Sequence, residues 1–171
     1  MISAAKLKDV SELNMLVNSA YRGDSSRQGW TTEADLLDGI RIDEERLSEL
    51  IQKQSSVILK YVDESKKIIG CVHLEKKGDR LYLGMLTVFP LLQSRGIGKE
   101  LMRAGEEHAK NQNCLSVYMA VITDRVELIA WYERYGYKNT GVKKPFPVGD
   151  PRFGLPKKAL EFVVLEKTLN H

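Results

Sequence analysis

Metal and disulfide chemistry have little to work with in this sequence. Its 171 residues hold two cysteines, Cys71 and Cys114, far apart from each other, and three dispersed histidines, His73, His108 and His171. There is no CxxC pair and no histidine at ligand spacing, so no metal site is expected and both thiols read as buried and reduced. Charge of one sign is lacking too. Against 26 basic side chains stand 23 acidic ones, interspersed, for a net charge of +3. Without a basic stripe, neither a nucleic acid nor a membrane surface is an expected partner. Long hydrophobic runs are missing as well. The longest, Leu81 to Leu92, is broken by Gly84, Thr87 and Pro90 and is too short for a bilayer. Met1 to Lys6 offers no apolar core of a signal peptide, so the expected location is cytoplasmic.

What is present suits one compact unit. Hydrophobic residues at 43% suffice for a single core, and no linker, repeat or low-complexity tract divides the chain, so residues 1–171 are expected to form one domain. Apolar positions 10, 13, 16, 17 and 20 recur at helical spacing and predict a helix over Val10–Tyr21, with Asp9 or Ser11 as its cap. Residues 22–32 read as a loop. Thr32 is placed to cap a short helix over 33–39, and Asp43 a second over 44–54. Branched, aliphatic segments at 56–62, 67–76 and 80–89 predict an antiparallel meander turning at 63–66 and 77–79, which Pro90 ends. A helix over 97–111, with Glu106 and Lys110 exposed, and a strand over 115–121 follow, and then Asp124 and Glu127, at capping-box spacing, open a helix through Tyr135. Gly136 is placed to end that last helix in a left-handed turn. Strands at 137–142 and 160–169 close the chain. Between them, Lys143 to Lys158 carries four of the five prolines and reads as a loop or flap that either covers a substrate site, through Phe146 and Phe153, or forms a dimer contact.

The chemistry concentrates where the strand ends and two glycines open a helix: Val88-Phe89-Pro90, then Gln93-Ser94-Arg95-Gly96-Ile97-Gly98-Lys99. A helix start exposes unpaired N–H groups and the positive end of the macrodipole, and Gln93, Arg95 and Lys99 add donors and charge. Cations there oppose the dipole unless an anion is bound. The combination suits a diphosphate, although glycines at a helix start also serve close packing. The Walker pattern fails, because Glu100 follows Gly98-Lys99, and GxGxxG fails because Leu101 holds its last glycine position.

The segment resembles the acetyl-coenzyme A signature of the GNAT superfamily of N-acetyltransferases, in which a strand ending V-x-P leads through Q/R-x-x-G-x-G/A into a helix. A second family element, a helix with Tyr followed by G-F or G-Y, is matched by Ala130-Trp131-Tyr132-Glu133-Arg134-Tyr135-Gly136-Tyr137. The resemblance implies a mixed α+β, GNAT-like fold: a mostly antiparallel sheet of about seven strands flanked by helices and splayed at the cofactor-binding strand. It implies an acyltransferase with acetyl-CoA as co-substrate and no metal. Leu86 and Val88 would pair with the pantetheine arm. The turn residues Gln93, Ser94, Arg95, Gly96, Ile97, Gly98 and Lys99 would hold the pyrophosphate, and Tyr132 would protonate the leaving thiolate. Where many members carry Asn, this chain has Arg125, which either reaches the phosphates or is solvated.

The general base is open. The strand before the signature holds no carboxylate, leaving Glu75, Glu33 or a chain of water, and both glutamates also read as solvated surface charges. Trp30, with Tyr21 and Arg41, either lines an acceptor pocket or packs over the core, and Tyr132 either works on the sulfur or fills the core. His73 reads as a strand residue satisfied by a neighbour. The expected partners are acetyl-CoA and an amine acceptor, with a homodimer possible; the alternative is a non-catalytic coenzyme A-binding sensor.

Overall fold

The structure, a computed structural model, describes residues 1–147 and 154–170. In chain order come β1 (Ile2–Ala4), α1 (Val10–Tyr21), α2 (Gly23–Ser26), β2 (Leu37–Asp38), α3 (Glu44–Gln52), β3 (Ser56–Val62), β4 (Ile68–Lys77) and β5 (Arg80–Val88). They are followed by α4 (Ile97–Asn111), β6 (Ser116–Ile122), α5 (Val126–Arg134), β7 (Lys138–Pro145), β8 (Leu155–Pro156) and β9 (Glu161–Thr168). Seven strands form one sheet in the order β1-β3-β4-β5-β6-β9-β7, the mixed α+β arrangement expected from the sequence. Every neighbouring pair is antiparallel except β5 and β6.

The core forms on both faces of this sheet. Leu13, Leu16 and Val17 of α1 join Leu47 and Leu50 of α3 on one face, against Ile58, Ile68, Cys71 and Met85. On the other, Leu101, Met102 and Ala109 of α4 and Tyr132 of α5 cover Val72, Leu74, Leu81, Leu83, Val117 and Leu165. With helices on both sides, β4 is buried along its first eight residues, whereas β5 alternates. Each leucine so buried contributes about 2 kcal/mol. Gly105 sits mid-helix, at a cost of about 1 kcal/mol relative to alanine, because α4 packs so closely on the sheet. An added Cβ would stand 3.0 Å from Leu74 and 3.2 Å from Leu83.

Two irregularities shape the molecule. In β5, His73 pairs with Gly84 but Cys71 pairs with Thr87, so one extra residue is inserted. Met85 takes the strain at φ +53°. This bulge changes which face the side chains take: Leu83 packs with α4, Met85 with α1 and α3, and the next residue, Leu86, is back on the α4 side. The second irregularity is a parting of strands. β5 and β6 pair only from Arg80/Ser116 to Tyr82/Tyr118, and beyond that they diverge.

Several expectations are corrected. Residues 33–39 form turns and β2, which pairs with β8, rather than a helix; Thr32 Oγ1 accepts the Ala34 N–H at 3.0 Å without any helix following. Asp124 and Glu127 form no capping box: the residue before α5 is Arg125, while Asp124 pairs with Lys158 and Glu127 accepts from Thr31. Glu106 is not solvated, since it accepts the Tyr137 hydroxyl at 2.8 Å and pairs with Lys167. The stretch expected to be one loop from 143 to 158 begins as the end of β7, a sheet edge where Pro145 owes no outward hydrogen bond, and includes β8. Phe153 lies outside the described residues. Among those described, no helix is long and apolar enough to cross a membrane, and no three His, Cys, Asp or Glu are grouped to hold a metal.

Candidate active site

The parting of β5 from β6 opens the molecule. A pocket of about 410 Å³ lies on the α1/α3 side, and a narrower cleft of about 70 Å³ runs from it toward the start of α4. Tyr21, Leu86, Arg125, Leu128 and Tyr132 line both, so the two spaces meet there.

The cleft gathers residues distant in sequence. Leu86, Val88, Gln93, Gly98, Arg125 and Tyr132, all singled out from the sequence, line it together. The Phe89 N–H bonds to Ile69 O of β4 at 2.8 Å. Main-chain groups alternate along a strand, so those of Leu86 and Val88 face the opposite way, into the gap. Their carbonyls are already engaged there. Tyr21 donates its hydroxyl to Leu86 O at 2.8 Å, and the Gln93 amide donates to Val88 O at 3.2 Å. The other end of that amide accepts from Trp30 N at 2.9 Å, pinning residues 29–30 over the cleft. Gln93 is therefore a strut between the turn and the strand. Trp30 neither joins the large pocket nor packs in the core; it is 42% exposed at the mouth of the cleft.

The turn into α4 fits a diphosphate. Ser94 (φ +67°) and Gly96 (φ +87°) both adopt left-handed backbone, which brings successive N–H groups to one side. A Cβ on Gly96 would meet nothing within 4 Å, and one on Gly98 only Val88 and Trp131 at 3.6–3.8 Å, ordinary contact. The left-handed backbone accounts for glycine at 96, but among the described residues no neighbour demands it at 98; a molecule lying in the cleft there would. Arg95 has no ion pair among the described residues, and Lys99 has only the Tyr135 ring, 5.7 Å away. Ile97 instead packs inward on the α4 side of the core.

Tyr132 is 5% exposed, with edge contacts to Trp131 and Tyr137. It belongs to the core and to both cavities at once. Burial raises its pKa well above the ordinary phenol value, with Tyr21 adding to the rise and Arg125 opposing it, so the hydroxyl keeps its proton. Burial likewise pushes Tyr21 up to about 12.

Arg125 is neither solvated nor aimed at the glycine turn. It is 6% exposed, donating to Glu33 Oε2 at 2.9 Å and to Thr31 Oγ1 at 2.7 Å. Glu33 is equally buried and also takes Arg22, at 2.9 Å. This Arg22–Glu33–Arg125 triad escaped the sequence reading, whose view of Glu33 as a surface charge is overturned. Residues 22, 33 and 125 share no local pattern. Glu75 is buried too: burial would raise its pKa, but Lys77 at 2.6 Å and Lys53 at 2.9 Å outweigh that and hold it below the usual carboxylate value. It does not line the pocket. His73 does, with Nε2 2.9 Å from Ser56 Oγ, the satisfying neighbour expected; burial lowers it to about 4 despite Glu75. Tyr82 lies over Gly84, where any Cβ would collide with its ring, and together they wall the pocket beside Arg41 and Phe146.

The family model described as the acetyltransferase (GNAT) family matches residues 18–137. Two Bacillus subtilis (strain 168) proteins align in part. The uncharacterized protein YdhI is 31% identical over 81 residues, 47% of this chain and 49% of that protein. A spermine/spermidine N(1)-acetyltransferase is 25% identical over 68 residues, 39% of this chain and 45% of that protein. The chain thus spans about half the length of the curated relatives it matches. The structure of PaiA N-acetyltransferase from Thermoplasma acidophilum in complex with coenzyme A superposes with a TM-score of 0.70 at 16% identity, covering 99% of this chain and 98% of that one, a likeness of fold.

Proposed function

This chain belongs to the acetyltransferase (GNAT) family, and we propose that it transfers the acetyl group of acetyl-CoA to an amine by direct attack within a ternary complex. The observation that carries this is the junction of the two cavities. A long thin space leads from an anion-suited turn along the open edge of β5, and meets a roomier one beside a phenol that is protonated in the free site.

In this reading Ser94, Arg95, Gly96, Gly98 and Lys99 hold the pyrophosphate of the donor, and the pantetheine arm runs beside Leu86 and Val88 as an added strand. The outward N–H of Leu86 or Val88 stabilises the oxygen that gains charge when the amine attacks the thioester carbon. Tyr132 gives its proton to the departing sulfur. Holding amine and thioester together supplies up to roughly 7–11 kcal/mol of the barrier reduction.

Among the described residues no strong base is placed for the amine. Glu33 is bound by two guanidiniums and Glu75 is outside the pocket. His73, at about 4, would take a proton from an α-amino group near 8 only uphill, by about 5 kcal/mol. The amine therefore reacts in its neutral form after losing its proton to solvent, and kcat/KM should rise with pH up to the amine's own pKa.

Release of free thiol from acetyl-CoA, measured across a panel of amines, tests the proposal. Amine-dependent release supports it. Donor binding seen by calorimetry with no release for any amine would sink it in favour of a coenzyme A sensor.

A further inference from the structure

The amine side of the site is more basic than an amine alone would call for. Arg22, Arg41, Arg46 and Arg125 line the larger pocket, against the carboxylates of Glu33 and Asp43. Both carboxylates are committed. Glu33 is held between Arg22 and Arg125, and Asp43 caps α3, its Oδ1 accepting the Arg46 N–H at 2.7 Å. Arg46 extends to the rim, where it pairs with Glu49 at 3.1 Å.

Arg41 differs from the other three. Its main-chain N–H is fixed to Asn18 Oδ1 at 2.7 Å, and its guanidinium lies 5.3 Å from the centre of the Tyr21 ring, partly buried. Among the described residues it has no carboxylate partner. Nearby, Arg125 Nε is the one buried side-chain polar atom without a hydrogen-bond partner among the described residues. A guanidinium held on an aromatic face beside a cavity is a receptor for a planar anion, which its fork binds through two parallel hydrogen bonds. The same cation repels an ammonium group, and among the described residues no carboxylate on the pocket wall is free to receive one.

Resting on the acetyl-transfer reading, we propose that the acceptor is a small amine that also carries a carboxylate, as amino acids do, anchored by Arg41 through that carboxylate with its amine directed toward Tyr132. A cavity of about 410 Å³ suits a molecule of that size. Polyamines, cationic along their length, are disfavoured by the same wall, so the spermine/spermidine acetyltransferase named among the relatives differs from this chain in its acceptor.

The test pairs each amino acid with its own amide, which keeps shape and amine but loses the negative charge, and adds spermidine and dipeptides. Thiol release should favour the acid over its amide by about ten- to hundred-fold in kcat/KM, expressed mostly in KM. A dipeptide used as well as a free amino acid would identify the source as a chain end. Arg41→Gln should bring the ratio of acid to amide near one, and Arg41→Lys should restore part of it. Preference for amides or spermidine, or a ratio untouched by Arg41→Gln, overturns the inference while leaving acetyl transfer standing. Calorimetry with N-acetylglycine and N-acetylglycinamide reads the subsite without turnover. Tighter binding of the acid, lost in Arg41→Gln, supports it even if no amine is acetylated, and equal or absent binding refutes it.

Discussion

Tyr132→Phe removes one oxygen from a ring that is otherwise packed against Trp131 and Tyr137. The core contact survives, so folding and donor affinity should hardly change, whereas turnover should fall about 10²-fold as the thiolate loses its proton donor. Steady-state kinetics beside a coenzyme A titration checks both halves; unchanged turnover would remove Tyr132 from the reaction. His73 makes a prediction about stability. Its folded pKa of about 4 lies below the ordinary 6.5, because burial penalises the cation more than Glu75 favours it, with Arg46, Arg41 and Lys53 also opposing the charge. Between pH 6.5 and 4 the unfolded chain binds a proton that the folded chain refuses. The contribution is complete above about 6.5 and drains away toward 4, about 3 kcal/mol at full extent. Urea midpoints measured across this window should fall on acidification, and His73→Gln should flatten the fall. Losses from Asp9 and Glu75, whose pKa values are lowered, belong to more acid conditions.

At the scale of the element, the start of α4 separates binding from folding. Gly98 borders the cleft with room for a methyl group, and alanine is the better helix former, so Gly98→Ala should leave stability intact or slightly higher while weakening coenzyme A binding. Gly96→Asp places a carboxylate where phosphate is expected and should abolish binding, read as loss of the thermal shift given by coenzyme A. Helices and strands such as 10–21, 56–62 and 97–111 were readable because their apolar spacing repeats within a dozen residues. The bulge was not. Gly84 hints at close approach, but nothing local says that Met85 will take a positive φ and turn to the other face. Residues 33–39 misled because Thr32 offers a cap bond whether or not a helix follows, and pairing of β2 with β8, some 118 positions on, decided the outcome.

For the molecule as a whole, the residues of the proposed donor half were legible and those of the proposed acceptor half were not. The glycine turn and Tyr132 sit in two short motifs, while the large pocket is assembled from Tyr21 to Arg46, His73 to Met85, Met119 to Arg125 and Phe146. Only the fold brings these together, and only the fold shows Arg41 without a counter-ion among the described residues. The same parted sheet has a consequence for survival in the presence of proteases. Where β5 leaves β6, the proposed donor would complete part of the ladder in place of the chain, so integrity would depend on its supply. Saturating coenzyme A at a hundred times its Kd should add about 2.7 kcal/mol, and limited proteolysis should slow with it. A catalyst built this way would be cleared faster whenever its own fuel ran short.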